Sequence, residues 1–589
     1  MSLSSALTIA FSGLSINQAA IRNTSNNIAN VNTEGYSQKI FSQKTRLIDG
    51  QSAGVTEAGI RRGVNENLLI QFRGQITEMQ HSNVVDRFYQ QMQNMFGSPD
   101  GNGSLGNHAA NLSSALEAFA ANPEGLAERN DVVNSAVAIS DNVQQLTKSI
   151  QELRQQADSE IEDAVADLSA QAKRINELNV EISRNKALGF DTTGLEDERD
   201  IAVNKVAEYV EISTFKRADG QMSIYTKQGP SVVDGGVPPM TYSAFGGVNA
   251  QTTYPADFGA ISIGGVDITP SLTKGKLAGL VELRDTVLPN LQAEIDQFAT
   301  KLRDELNAIH NQGTSFPPRQ TVTGTTTITG GGAFSLAGST GTVRVSVLNN
   351  DGTLAAAPLD IDLTTTADVN AVLTAINTNP AFAGLVTASV DANNKLSIVA
   401  TNADDGIAIN ESTSNVVGGG RGFSHFFGLN DLLVGDTTIN LGSTLTVRSD
   451  VKSDPQLLSS GALSNAGGLV TNDVALTAGD NSIAQLLANK LTADVSFAAA
   501  GNLGATTTSF SEYGASILST NAAAAVREAE SLAFRSTLHD EMSVQLSQFT
   551  GVNIDEELAR LVELENAFGA SARVVSIIND MFETLVNVV

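Results

Sequence analysis

The sequence predicts an α+β multidomain protein. Its expected parts are paired N- and C-terminal helices in an axial coiled-coil core, a helix-rich second domain, and inserted β-rich outer domains. Three observations predict this. Both extreme ends carry apolar stripes at heptad spacing, and 131–187 and 277–310 keep a helical period. Between them, and again after 313, the pattern switches to strand-like alternation broken by Gly and Pro. With 589 residues, and roughly 150 per domain, several cores are expected.

The N-terminal stripe is Leu3, Leu7, Ala10, Leu14, Asn17, Ile21, Thr24, Ile28 and Val31, in steps of four and three. Polar Asn17 and Thr24 at seam positions favour one register at a cost in stability. The C-terminal stripe is Leu561, Leu564, Phe568, Ser571, Val575, Ile578, Phe582, Leu585 and Val589. Asp555, Glu556 and Glu557 stand near the start of this helix, where negative charge complements the dipole. Two readings stay open: ordinary amphipathic helices on a core, or two assembly seams that pair with each other and with copies of the chain. The second would leave everything between the ends as an outward loop.

In the middle, Ile139, Val143, Leu146, Ile150, Leu153 and Ala157 form one stripe, and Ile161, Val165, Leu168, Ala172, Ile175 and Ile182 another. Their joint is a stutter or a break between helices. A further helix is expected from Leu195 to Val210. A small β-rich unit follows at 215–273, with a hairpin around Gly264-Gly265. Leu288, Leu291, Ile295, Phe298, Leu302, Leu306 and Ile309 then share one helix face. From 321 to 420 only Arg344 and Lys395 are basic, against eight acidic residues. There Val343, Val345 and Val347 alternate, as do Leu359, Ile361 and Leu363. A short helix carries Val369, Val372, Leu373 and Ile376, with Pro380 beyond it, and Val386–Val390 and Leu396–Ala400 flank a turn. This reads as a ββαββ insertion. The stretch 450–548 is expected to be mostly helical, most clearly at 483–491 and 517–546. The expected domains are 1–50 with 549–589, 51–214 with 274–312 and 446–548, then 215–273, and 313–445.

Charge and motifs exclude much chemistry. Lys and Arg number 36 against 64 Asp and Glu, a net charge of −28, which argues against nucleic acid and anionic lipid as partners. The absence of Cys rules out disulfides, thiolate metal sites and a Cys nucleophile. Gly101 to Gly106 matches G-x-G-x-x-G literally, but without a preceding strand it reads as a loop. The stretch Asn402 to Glu411 misses calcium-loop spacing by one residue and reads as a polar turn. His81, His108, His310, His425 and His539 are far apart in sequence, and His539 is expected to be solvated on a helix. The first basic residue is Arg22, so a cleaved signal peptide is not expected. No window has the run of apolar residues that a membrane span needs, so no membrane insertion is expected. No catalytic, cofactor-binding or metal residue is assigned, and no enzyme activity is expected.

The stretch Ser25-Asn26-Asn27-Ile28-Ala29-Asn30-Val31-Asn32-Thr33-Glu34-Gly35-Tyr36-Ser37 resembles the N-terminal signature of bacterial flagellar rod, hook and hook-associated proteins. Leu195-Glu196-Asp197-Glu198-Arg199-Asp200 is similar to a Leu-x-Asp-x-Arg-Asp helix start in the hook-associated proteins, and Gly479-Asp480-Asn481 to another of their segments. Glu563 to Leu585 resembles their C-terminal axial helix, with departures at Glu565 and Phe568 where Gln and Tyr are usual. The resemblance implies a structural adaptor at the hook–filament junction, needed for filament assembly and exported unfolded through the flagellar type III apparatus. It implies an extracellular place on the flagellum and terminal segments that order on assembly. The implied partners are the hook protein, a second junction protein, copies of the chain in a ring, and an export chaperone on the C-terminal helix. The signature residues Asn26, Asn27, Ala29, Asn30, Asn32, Thr33, Gly35 and Tyr36 are expected to cap the first helix and to contact partners. The alternative is a filament subunit or a surface adhesin using the β-rich insertion.

Overall fold

A computed structural model describes residues 3–48, 50–96, 103–227, 229–417 and 419–588. Gly101 and Asn102 of the Gly-rich stretch, and Val589 of the C-terminal stripe, lie outside the described residues. The N-terminal stripe forms one unbroken helix, α1 (Leu3–Ala29). After a turn the chain runs back along α1 as an antiparallel hairpin, β1 (Lys39–Ile48) and β2 (Gln51–Arg62). Val55 N donates to Ser12 Oγ across this contact. A Cβ at Gly54 would meet that hydroxyl at 2.3 Å, so glycine lets the strand lie on the helix. The expected boundary at residue 50 falls in the turn of this hairpin and so divides a unit that hydrogen bonds hold together.

The helical body begins with α2 (Glu66–Phe96) and α3 (Leu105–Ala121). It continues through α4 (Leu126–Ala187), 62 residues without a break, and α5 (Thr193–Tyr209). At 1.5 Å per residue α4 is about 90 Å long. The change of stripe between Ala157 and Ile161 is therefore a stutter, and both residues are fully buried. Two three-stranded sheets follow. One holds β3 (Ile212–Lys216), β4 (Met222–Thr226) and β5 (Ser231–Val233). The other holds β6 (Met240–Thr241), β7 (Ser262–Ile263) and β8 (Val266–Asp267). Their buried Met222, Ile224, Ile261 and Ile263 belong to the apolar cluster of the helices, so they share its core. Helix α6 (Lys276–Glu282) passes through a π turn at Leu283–Val287 into α7 (Leu288–His310), whose whole expected apolar face is buried. In the π turn Arg284, fully buried, pairs with Asp158 of α4 at 2.9 Å.

The insertion contains β9 (Thr321–Thr323), β10 (Thr342–Asn349), β11 (Leu359–Asp362), α8 (Val369–Asn377), β12 (Val386–Val390), β13 (Leu396–Ala400) and β14 (Asp405–Asn410). The strands make two three-stranded sheets, β11-β10-β14 and β12-β13-β9. Their side chains, from Val322 to Leu429, close an apolar cluster of their own. Every element of the expected ββαββ pattern is present. The strands β9 and β14 are additional, and Asp405 of the polar stretch is buried at the start of β14, accepting from Asn402 Nδ2.

Beyond α9 (Phe423–Phe427) the chain returns to the body through β15 (Leu433–Val434), α10 (Leu441–Thr444), β16 (Thr446–Val447) and α11 (Ser449–Ser453). Leu432, Leu445, Val451 and Leu458 rejoin the first cluster. From 454 to 481 the chain is turns and irregular backbone with one 3-10 turn at Pro455–Leu457, where helix was expected. Helix α12 (Ser482–Thr492) and the hairpin β17 (Val495–Phe497) and β18 (Thr506–Thr508) lead into α13 (Phe510–Thr550). A capping box of Ser509 and Glu512 starts α13, which packs along α2 and α3. The last helix, α14 (Ile554–Val588), returns beside α1. It is antiparallel to α1, since Asn27 meets Glu557 while Asn17 meets Ser571.

Candidate assembly joint

The ends of the chain meet the body at a buried polar joint built around Asn27. Its side chain, fully buried, uses its whole hydrogen-bonding capacity. Nδ2 donates to Lys39 O at 3.0 Å and to Glu557 Oε1 at 3.1 Å. Oδ1 accepts from Tyr36 Oη at 2.9 Å and Lys39 N at 3.0 Å. One amide thus ties α1 to the turn, to β1 and to α14. Asn23, one turn earlier, also donates to Lys39 O, and Gln38 Nε2 donates to Glu557 Oε1 at 2.8 Å. Glu557, expected only to complement the helix dipole, is instead 2% exposed and serves as the C-terminal anchor of the joint.

A charged layer lies beneath. The Asp197 carboxylate at the start of α5 accepts from Ser37 N and Ser37 Oγ and pairs with Lys39 and with Arg62. Asp200, one turn on, pairs with Arg62 of β2 and with Arg73 of α2, the latter at 2.8 Å. Burial by itself raises the Asp200 carboxyl, but Arg62 and Arg73 outweigh it and hold it below the usual carboxylate range. Burial draws the Lys39 ammonium below its ordinary value against the pull of Asp197. Burial, with Asp197 and Glu557 adding to it, pushes the Tyr36 hydroxyl up to about 12, so it stays a donor to Asn27. Within this layer Lys39, Arg62, Arg73, Asp197 and Asp200 each have an oppositely charged partner, which burial requires.

Of the signature residues, Asn27 is buried and Asn30 and Tyr36 are half-buried, while Asn26, Ala29, Asn32, Thr33 and Gly35 are exposed. Asn30 closes the end of α1 by donating to Asn26 O, and Thr33 donates to Asn30 Oδ1. Gly35 has φ +77°, and a Cβ there would stand 2.5 Å from Ile201 Cδ1, so the turn needs glycine to approach α5. Arg199 takes no part in the joint. It donates to Asn179 Oδ1 and Gly220 O, tying α5 to α4 and the β3–β4 turn. Asn23, Lys39, Arg62 and Arg73 gave no sequence signal, because nothing local shows which charges the fold will bury together.

The N-terminal seam residues Leu3, Leu7, Leu14, Ile21, Ile28 and Val31 are half-buried, and the buried residues of α1 are Ala10, Ile16, Ala20, Asn23, Thr24 and Asn27, of which Ala10 and Thr24 belong to the expected stripe. On α14, Leu561, Leu564, Phe568, Val575 and Phe582 are half-buried and Ile578 is buried, whereas Leu585 is exposed. Leu558, Val562, Val574, Ile577, Met581 and Val586 are exposed as well. His539, expected to be solvated, is half-buried, its ring centroid 5.2 Å from that of Phe72 with the planes tilted by 31°. Among the described residues no group of three or more His, Cys, Asp or Glu could hold a metal, and no helix is long and apolar enough to cross a membrane.

Three family models match this chain. Residues 89–324 match "Flagellar hook-associated protein FlgK helical domain". Residues 547–588 match "Flagellar basal body rod FlgEFG protein C-terminal", and residues 7–36 match "Flagella basal body rod protein". All three models describe flagellar structural proteins, rod-type at the two ends and hook-associated in the helical middle. Within that class the chain resembles hook-associated protein 1. It is 25% identical to "Flagellar hook-associated protein 1" of Salmonella typhimurium over 321 residues, 53% of this chain and 57% of that one. It is 23% identical to the protein of the same name in Bacillus subtilis, over 51% of this chain and 66% of that one. The match thus spans less than two thirds of these relatives' length. A solved structure described as "The structure of the flagellar hook junction protein FlgK from Burkholderia pseudomallei" aligns with a TM-score of 0.47 at 15% identity, covering 81% of this chain and 99% of that chain.

Proposed function

We propose that the chain is an adaptor at the hook–filament junction, needed for filament assembly and without enzymatic activity. The observation that carries this reading is the uncovered apolar surface of α14. Val574, Ile577, Met581 and Leu585 are 46%, 55%, 54% and 55% exposed on a helix whose other side already faces α1. A stripe of this kind at the end of a chain suits neighbouring subunits. We place copies of the chain, the hook protein and a second junction protein there, stacked head-to-tail in a ring or tube. The joint at Asn27 fixes how the terminal helices meet the body, so a subunit held by its ends presents its β-rich lobe outward at a set angle. The signature residues and both seams act as assembly residues. The division that follows is α1, the hairpin and α14 as the axial unit, the helices with both small sheets as the body, and the 321–429 lobe as the insertion.

Export proceeds unfolded through the flagellar type III apparatus, with a chaperone covering α14 until assembly. Deletion of residues after 555 tests the adaptor role. The truncated chain should fold as a soluble monomer and fail to restore filaments to cells lacking the natural protein. A truncated chain that still builds junctions overturns the reading. Purified chain that grows long fibres on its own would mark a filament subunit instead.

A further inference from the structure

A small cavity lies where the chain leaves the helical body for the last two helices. Its walls include Tyr89 and Met92 of α2, Leu291 and Glu294 of α7, Asn502 of the β17–β18 loop, and Asn521 of α13. Glu294 is 2% exposed and has no basic partner. Its Oε1 accepts from Asn502 N at 2.8 Å. The loop can come this close because residue 501 is glycine at φ +55°, where a Cβ would stand 2.2 Å from Asn290 O. Opposite, Asn521 is 6% exposed and its Nδ2 has no hydrogen-bond partner, a costly state for a buried donor. The hydroxyl of Tyr513, one face of whose ring stacks on Phe497 of β17, is also buried without a partner. The cavity offers about 20 Å³ to the centre of a water molecule. About 10–15 Å³ suffices to hold one when two or more polar groups face it.

We propose that this cavity is a binding site for a single water molecule, bridging the Glu294 carboxyl and the Asn521 amide and latching the β17–β18 loop between α7 and α13. The water joins the Glu294–Asn502 pair to the otherwise unpartnered Asn521 amide across three elements.

The carboxyl is protonated below about pH 7 in this setting. Burial pushes Glu294 up to about 7 while the bond from Asn502 N opposes it. The titratable groups facing it are Tyr513 of α13, pushed up to about 12, and Tyr89 of α2, raised mainly by burial. Neither supplies positive charge. Glu528, Glu282 and Arg527 act electrostatically on Tyr89 and are not among the causes of the Glu294 shift, and the 495–508 hairpin carries no charged residue. A folded value above the unfolded one means that the latch is strongest at low pH and weakens as pH rises through about 7.

The test compares full-length natural protein with Glu294→Gln and Asn521→Leu by hydrogen exchange at 495–508 and by thermal unfolding. Protection of the natural hairpin should fall about tenfold between roughly pH 6 and 8, and Glu294→Gln should abolish that fall. Asn521→Leu should lower protection at pH 6, because it expels the bridging water and strands the carboxyl. Were Asn521 without bound water, leucine would remove an unsatisfied donor and raise the melting temperature. That rise, or a pH profile unchanged by Glu294→Gln, overturns the proposal. If the glutamine variant does not fold, the natural pH profile and the leucine variant decide between the same two outcomes.

Discussion

At Asn27 a single side chain makes four hydrogen bonds to three residues, Tyr36 and Lys39 nearby in sequence and Glu557 at the other end of the chain. Alanine there leaves the Glu557 carboxylate and the Lys39 backbone amide short of partners in a buried place. At about 1–3 kcal/mol for an unsatisfied buried group, Asn27→Ala should destabilise the joint by about 2–3 kcal/mol. Urea unfolding followed by hydrogen exchange at 23–39 measures this. Asp200→Asn keeps the shape but leaves Arg62 and Arg73 facing a neutral amide, and should cost roughly 3–5 kcal/mol as a broken buried pair. The joint is also sensitive to acid. Asp200 is held below its unfolded value, so its contribution is present above about pH 4 and lost as pH falls further. His310 adds a second acid-sensitive point. Fully buried, it has Nε2 accepting from Ser459 N, and burial lowers it to about 3. A depressed value gives stability that is present above about pH 6.5 and declines as pH falls toward the folded value. His310→Gln should therefore flatten thermal stability between roughly pH 6.5 and 4 relative to the natural chain.

The elements differ in how far the sequence shows them. Helix α4 is plain from its period, because a long amphipathic stripe on a two-sided body has no other way to bury Ile139 through Ile182. The structure was needed to show that the stripe change at Ala157 is continuous helix. Ile161→Ala, at the fully buried end of the stutter, should cost roughly 2–5 kcal/mol in thermal or urea unfolding. The lobe is equally legible, since alternating Val343, Val345 and Val347 meet a capped helix and a turn at Asp391–Asn394. The hairpin β1–β2 is not. Most of β1 is exposed and two register shifts interrupt the pairing, so its sequence has no clean alternation. Strand β14 is hidden by its polar entrance at Asn402–Asp405. The joint is half legible: its signature and the Asp197–Asp200 segment stand out by resemblance, but their basic partners come from β1, β2 and α2 and meet only in the fold. On α14, Ile577→Glu tests the outward stripe. An exposed position should shift monomer stability by no more than about 0.5 kcal/mol, while assembly in complemented cells should fail.

For the molecule as a whole, composition and topology answer to one scheme. The chain goes out from α1, builds its body and lobe, and comes back through α13 to lay α14 beside its own beginning. A net charge of −28 opposes association of like chains, which fits the proposed role of ends that assemble only at the junction. The absence of Cys fits the proposed unfolded export, since no stray disulfide can form. Under the proposed function the terminal helices gain their full order from neighbouring subunits. Their half-buried seams leave the pair thinly covered in a single chain, whereas the body closes a core of fully buried side chains. Disordered or loosely held ends meet their ordering cost on binding. Residue-level hydrogen exchange on the isolated full-length chain tests this most directly. Rapid exchange over 1–50 and 550–589, with strong protection through α4 and α7, is the result expected. Protection of both ends equal to that of α4 would contradict the claim.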